Sequence, residues 1–233
     1  MSITVGMADF RAALGAVKVH ACNDPEVPAL TRVRLTIADE HLIVSATDRF
    51  TGAIAAVSLE EAPPKGVAGS VVELLPADVA SIRAIHKPGK EEGETPEYLV
   101  RIEIGTKLAT VTDCSGMLDG RSLRVPILPR QDALDQLPIL LAQTLGSEPV
   151  LLEDMTFGGT FVQRFTTAAS TYHEPLVFES RAGHRSILIR CGEAFLGLLM
   201  PRTPDEDEIT RRKEWATSWD YRLVGMLTER TTP

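Results

Sequence analysis

The chain has 233 residues, 44% of them hydrophobic, enough to bury a core as one large domain or two small ones. No apolar run approaches the roughly 20 residues of a membrane span, and the start lacks the charged-then-apolar order of a signal peptide, so a cytoplasmic location without a membrane partner is expected. A net charge of −8 excludes a protein that grips nucleic acid with its whole surface, while leaving room for one local basic face.

In chain order, Met7, Phe10, Leu14 and Val17 recur at helical spacing, with Arg11, Gly15 and Lys18 on another face. "RVRLTI", Arg32 to Ile37, then alternates, placing Val33, Leu35 and Ile37 on one side and Arg34 and Thr36 on the other, the period of a half-buried strand. His41 to Thr47 repeats that pattern, breaks at Asp48-Arg49 and resumes as another apolar run. The first repeat is therefore a helix followed by three strands. A second begins with "GSVVELLPADVASIRAIHK": a strand ending at Leu75, then a helix with Pro76 at its first position, Asp78 in its first turn and a stripe of Val79, Ile82 and Ile85. "EYLVRIEI", "KLATVTD" and "SLRVPIL" supply its three strands, and "LIVSATD" and "LATVTD" end in the same Thr-Asp 65 residues apart, which marks an internal repeat. A third repeat reads "PVLLEDMTFGGTFVQRFTTAAS", a strand and a helix with Thr160 and Gln163 as a capping box and Phe161 and Phe165 facing inward, followed by strands "PLVFES", "RSILIRC" and "AFLGLLMP". Between the second and third lies "PRQDALDQLPILLAQTLGSE", a connector with room for one helix.

After Pro201 the pattern changes to a helix with Thr203 as N-cap, Pro204 next, four acidic residues in the first turn and cations following, in accord with the helix dipole. Trp215, Trp219 and Leu223 form a stripe suited to packing on the protein's own body or to docking on another subunit.

Chemistry is harder to find. The three cysteines, Cys22, Cys114 and Cys191, lie far apart and read as reduced. The five histidines have no carboxylate or cysteine at ligand or triad spacing, so neither a metal nor a cofactor is expected. "TFGGTF" lacks the spacing of a phosphate loop, and its glycines suit a turn from strand to helix. A nuclease could draw on Asp48, Asp113 and Glu103, but an aspartate after a strand and before a reversal commonly bonds its own downstream amides, and its recurrence at Asp113 reads as a repeated turn. The cations say more: Arg11 and Lys18 lie off the core stripe of the first helix, Arg83, His86, Lys87 and Lys90 are expected along one face of the second, and Arg164 stands on the third. Cations gathered on repeated helices suit a phosphate backbone contacted without base reading.

These residues resemble a known family, the bacterial DNA polymerase III beta sliding clamp. "RVRLTIADEHLIVSATDRF" is similar to the clamp's middle-domain hairpin, which ends in Ala-Thr-Asp; "MLDGRSLRVPILP" to the Asp-Gly-Arg run and closing proline of that domain; "MTFGGTFVQRFTTAAS" to the start of the final half-domain; and "FLGLLMPR" to its closing Met-Pro-x-Arg. The resemblance implies an α+β clamp fold with sheets outside and helices inside. It implies a complete clamp-like domain over 1–129 and a half-domain over 149–202; the chain departs from the family in the short connector over 130–148, which stands where the first half of the last domain would be, and in a C-terminal helical extension over 203–233 beyond the closing Met-Pro. The resemblance also implies a non-enzymatic processivity factor, homo-oligomeric, that encircles or cradles duplex DNA through Arg11, Lys18, Arg83, Lys87, Lys90 and Arg164 and tethers a DNA polymerase or other replication protein. A partner peptide would enter a pocket involving Leu30, Thr47, Arg49, Pro129, Met200 and Pro201. Arg49 stands where the family has glycine, Gly52 where it has leucine, and this chain holds three half-domain repeats against the family's three full domains. A clamp-derived protein that binds a replication partner without encircling DNA is the alternative, and a metal-dependent nuclease using Asp48 and Asp113 the second.

Overall fold

The computed structural model describes residues 1–90, 96–152 and 155–228. The chain divides into two units, Met1–Glu153 with Phe157–Pro201, and Asp154–Thr156 with Arg202–Pro233.

The first unit repeats one motif. Strand β1 (Ser2–Gly6), helix α1 (Met7–Lys18) and strands β2 (Val33–Ile37), β3 (His41–Thr47) and β4 (Thr51–Ser58) form the first repeat. The second comprises β5 (Val71–Leu74), α2 (Pro76–Ile85), β6 (Leu99–Ile104), β7 (Leu108–Asp113) and β8 (Ser122–Pro126). After a connector helix α3 (Gln136–Gly146), the third comprises β9 (Pro149–Val150), α4 (Gly159–Tyr172), β10 (Leu176–Arg181), β11 (Ile187–Cys191) and β12 (Phe195–Leu199). The first repeat thus opens with a strand, Ser2–Gly6, that the helix-first reading passed over although Ile3 and Val5 alternate inward.

All pairing between these strands is antiparallel, in one sheet ordered β1-β6-β7-β8 and one ordered β5-β2-β3-β4-β12-β11-β10-β9. The first two repeats exchange their leading strands, β1 joining β6 and β5 joining β2. The third joins the first edge to edge, Thr51 to Ala55 of β4 against Leu199 to Phe195 of β12. Because successive side chains of a strand point to opposite faces, this long sheet buries both of them. On one face the fully buried Phe165 of α4 presses on Gly197, where a Cβ would lie 2.5 Å from the ring. On the other, Leu137 and Leu141 of α3 pack on Leu188 and Leu198, with Ile54 and Leu196 beside them. Packing on both faces explains why β2 is buried throughout most of its length, and Arg34 with it.

Local chemistry revises three expectations. Helix α2 stops at Ile85, with His86 extended, so His86, Lys87 and Lys90 do not continue its face; Pro88 clashes with helical geometry at the residue before it. Helix α4 is capped by Gly158 and not by Thr160, which lies inside the helix without a capping bond. In the second unit, helix α5 (Glu206–Thr228) begins after Asp205, whose carboxylate accepts the Glu208 N–H at 2.7 Å, so the cap lies two residues beyond Thr203. There Arg202 donates to the Thr156 carbonyl at 2.7 Å and pairs with Glu208 at 2.5 Å. Trp215 and Trp219 lie 6.5 Å apart, edge to face, both exposed.

Candidate functional site

The turn between β3 and β4 is built by its own side chains. Asp48 Oδ1 accepts from the backbone N–H of Phe50 at 3.0 Å and Thr51 at 2.7 Å and from the Thr51 hydroxyl at 3.1 Å, while Oδ2 pairs with Arg164 of α4. Thr47 donates its hydroxyl to the Thr51 carbonyl at 2.7 Å and accepts the Arg49 N–H at 3.2 Å. Arg49 is held at φ 79°, a left-handed conformation that costs a residue with a Cβ about 1–2 kcal/mol. At β7 the same device recurs, Asp113 accepting from the Ser115 N–H and hydroxyl at 3.1 and 2.6 Å. Hydrogen bonding from Ser115 holds the Asp113 carboxyl below the usual range.

Beside this turn lies a cavity of about 280 Å³ lined by Val27, Ala29, Leu30, Thr47, Arg49, Ala133, Gln136, Leu137 and Leu140. Its walls come from three places: the loop before β2, the β3–β4 turn, and the connector with α3. Leu137 reaches over Gly52, where a Cβ would lie 2.5 Å from its Cδ1, so the apolar side chain missing from the strand is supplied from α3. Gly52 pairs with Thr47 and Leu198, which sets the cavity on the α3 face of the sheet, opposite the face that holds α4. Arg49 is the only charged residue of the lining, and the rest is mostly apolar.

The connector is fixed by a buried cluster. Arg32 and Arg34, 6% and 4% exposed, both pair with Glu73 of β5; Arg32 also donates to the Pro129 carbonyl at 2.8 Å, and Arg34 to the Gln131 carbonyl and the Asp135 carboxylate. Contact with Arg34 holds the Asp135 carboxyl below its ordinary value. Burial of two guanidiniums is tolerable because carboxylates and carbonyls receive their donors.

The expected cations fare differently. Arg11 turns its guanidinium onto the carbonyls of Arg83 and His86 at the end of α2, at 3.3 Å for the latter. The Arg83 side chain lies across Gly15 of α1, 2.7 Å from where a Cβ would stand. Burial and the neighbouring Arg11 charge lower its pKa. Arg164 is paired with Asp48 and bonds the Thr51 hydroxyl at 2.7 Å. Lys87 and Lys90 are exposed and Lys18 half-buried. Arg11 and Arg83 therefore meet between α1 and α2, while Arg164 is engaged by the β3–β4 turn.

No family model and no curated protein matches the chain. Among solved structures, the DNA polymerase sliding clamp from Bacillus subtilis aligns with a TM-score of 0.60 at 12% identity, covering 88% of this chain and 65% of that one. The DNA polymerase III beta subunit from Thermotoga maritima aligns at 0.58 and 11%, covering 88% and 66%, and that from Pseudomonas aeruginosa at 0.55 and 14%, covering 89% and 67%. The fold is the sliding-clamp fold. This chain spans about two thirds of the length of those clamps.

Within the clamp fold, the structure brings Leu30, Thr47 and Arg49 around one cavity. Met200 lies beside it, donating its N–H to the Phe50 carbonyl at 2.9 Å, whereas Pro129 is occupied as an acceptor for Arg32; neither these two nor Pro201 lines the cavity. What the residue pattern left out is Val27 and Ala29 of the loop before β2, Ala133 of the connector, and the α3 wall of Gln136, Leu137 and Leu140. A signal for that wall existed in Leu137, Leu141 and Thr144, which recur at helical spacing and are all buried. Asp48 has both carboxylate oxygens taken by donors of its own chain, and Asp113 sits on the other sheet, so the two do not converge. Among the described residues, no group of three potential metal ligands gathers, and no helix is long and apolar enough to cross a membrane.

Proposed function

We propose that this protein is a non-catalytic clamp-type factor that cradles or, as a homo-oligomer, encircles duplex DNA with its helical face and tethers a DNA polymerase or other replication protein through a short peptide held in the cavity at the β3–β4 turn. The observation that carries this reading is the apolar cavity of about 280 Å³ on the face opposite α4, where a tethered partner would not compete with DNA for the same surface. Its size is close to the lower limit of roughly 300 Å³ for ligand sites, which suits one or two anchoring side chains of a peptide. The deciding measurement is retention on closed-circular duplex DNA, lost when the circle is cut. Lys18→Glu with Lys87→Glu should reduce retention and lower the salt slope by about 0.9 for each phosphate contact removed. Retention indifferent to this pair sinks the reading, and retention that depends on the pair but survives cutting leaves cradling in place of encirclement.

The engagement of Arg11, Arg83 and Arg164 by their own chain favours one second reading, a clamp-derived protein that binds a replication partner without holding DNA. Leu140→Glu, at a half-exposed wall position, separates the two: binding of an apolar peptide abolished by this change, with no DNA retention in the parent protein, decides for the second.

A further inference from the structure

The second unit carries a helix face that the duplex reading does not use. Side chains three, four and seven apart share one side of α5, so Arg211, Trp215, Trp219 and Arg222 run along it as a stripe with Arg212 beside them, all within about 60° of Trp215 around the axis. Trp215 and Trp219, 64% and 39% exposed, stand edge to face, and the Arg222 guanidinium lies 5.5 Å over the Trp219 ring. Acidic groups are kept off the stripe. Glu206, Asp207, Glu214 and Asp220 lie about 80° or more from Trp215 around the helix. The one carboxylate on the same side, Glu208, is taken by Arg202 and Arg212. Arg211 has no ion-pair partner among the described residues, and it lines a shallow depression of about 430 Å³ with Arg202, Asp205, Glu208, Arg212 and Trp215. On a chain of net charge −8, three arginines beside two open indole rings are a local reversal of sign.

We propose that this face of α5 binds single-stranded nucleic acid, with unpaired bases stacked on Trp215 and Trp219 and the phosphate backbone on Arg211, Arg212 and Arg222. Aromatic platforms set between cations match an unpaired strand, because every base offers a π-face whatever the sequence and every phosphate offers an anion. Duplex DNA fits less well, since its base faces are closed within the stack and exposing one costs unpairing energy. The apolar groove of a partner protein also fits less well. Such a groove takes an uninterrupted apolar stripe, whereas here it would bury Arg211 and Arg222 beside the rings without an anion to meet them. The rings and the guanidiniums are served together only by a ligand that alternates flat apolar faces with negative charge.

The inference is independent of the duplex reading, since α5 lies outside the repeats and their cations. A protein that binds a single strand and retains no closed-circular duplex overturns only the earlier proposal. Trp215 and Trp219 are the only tryptophans of the chain, so tryptophan emission of the full-length protein reports on this face alone. Titration with a thymidine oligonucleotide should quench that emission and a duplex of equal length should not. Affinity should fall with salt, with a slope of about 0.7 for each phosphate contact. Trp215→Ala, at an exposed position where circular dichroism should be unchanged, should weaken binding of the labelled oligonucleotide at least about fivefold, read by anisotropy. Arg211→Ala with Arg222→Ala should lower the salt slope by about 0.7 for each contact removed, while quenching persists at low salt. Absence of quenching, which leaves the face to a protein partner or a second copy, overturns the proposal. So does equal quenching by the duplex, or an affinity and salt slope indifferent to these substitutions.

Discussion

At Asp48 the residue pattern alone supported two chemistries, and the hydrogen bonds choose between them. Asp48→Asn keeps an acceptor for the Phe50 and Thr51 amides and loses the charge pairing with Arg164, whereas Asp48→Ala removes every acceptor. The expected losses in urea unfolding are about 1 kcal/mol for Asn and about 2–4 kcal/mol for Ala. A destabilisation no larger for Ala than for Asn would remove the structural role. Arg49 makes the opposite case: at φ 79° it should tolerate glycine, and Arg49→Gly should be neutral to stabilising, up to about 1 kcal/mol, while discharging the cavity rim. Beneath the turn, His20 packs on Phe165 and Phe195 at 4.6 and 6.1 Å, its two ring nitrogens without hydrogen-bond partners. Burial, helped by the Arg164 charge, pushes its pKa down to about 3. Since the unfolded histidine titrates near 6.5, the unfolded state binds the extra proton between those values, and stability falls as pH drops through that window by about 1.4 kcal/mol per unit. His20→Phe should flatten this acid limb, so the urea midpoints of parent and variant should diverge below pH 6; parallel profiles would show that His20 is protonated without cost.

At the scale of elements, alternation made β2, β3, β6 and β7 legible, because each carries a clean apolar side. Helices α1 and α2 were legible from spacing and from Pro76. The end of α2 was missed where Pro88 overrode a run of cations that looked helical, and β1 where the following helix dominated a short alternating stretch. The cavity was half legible: Leu30, Thr47 and Arg49 were nameable by resemblance, but the α3 wall depends on a contact between Leu137 and Gly52, 85 positions apart, that no local pattern contains. That contact is testable by a double-mutant cycle. Gly52→Ala should cost about 1–2 kcal/mol by displacing Leu137, and markedly less in a Leu137→Ala background, which itself should lose about 2–4 kcal/mol. Additive losses would mean that the two positions do not meet. The buried pairing of Arg32 and Arg34 with Glu73 was equally out of reach, since a strand reading assigns Arg34 to solvent unless the covering connector is known.

At the scale of the whole molecule, the seam between β4 and β12 decides whether the third repeat is an appendage or part of one body. Five paired positions join the strands, and Gly197 sits at their centre with the Phe165 ring on one side and the Gly52 carbonyl 3.1 Å from where a Cβ would stand. Neither neighbour is free to give way, because Phe165 is fully buried and the carbonyl belongs to the backbone of the adjoining strand. Gly197→Ala should therefore cost more than Gly52→Ala, about 2 kcal/mol or above, and the loss should not stay local. Regions that open as one cooperative unit share one opening free energy, so native-state hydrogen exchange should protect Ile189 of β11 and Val44 of β3 equally, and Gly197→Ala should lower both by the same amount. A loss confined to Ile189 would show that the third repeat opens alone. Equal loss would mean that the last strand and the strands of the β3–β4 turn, which carry the Thr47 and Arg49 wall of the cavity, open as one unit.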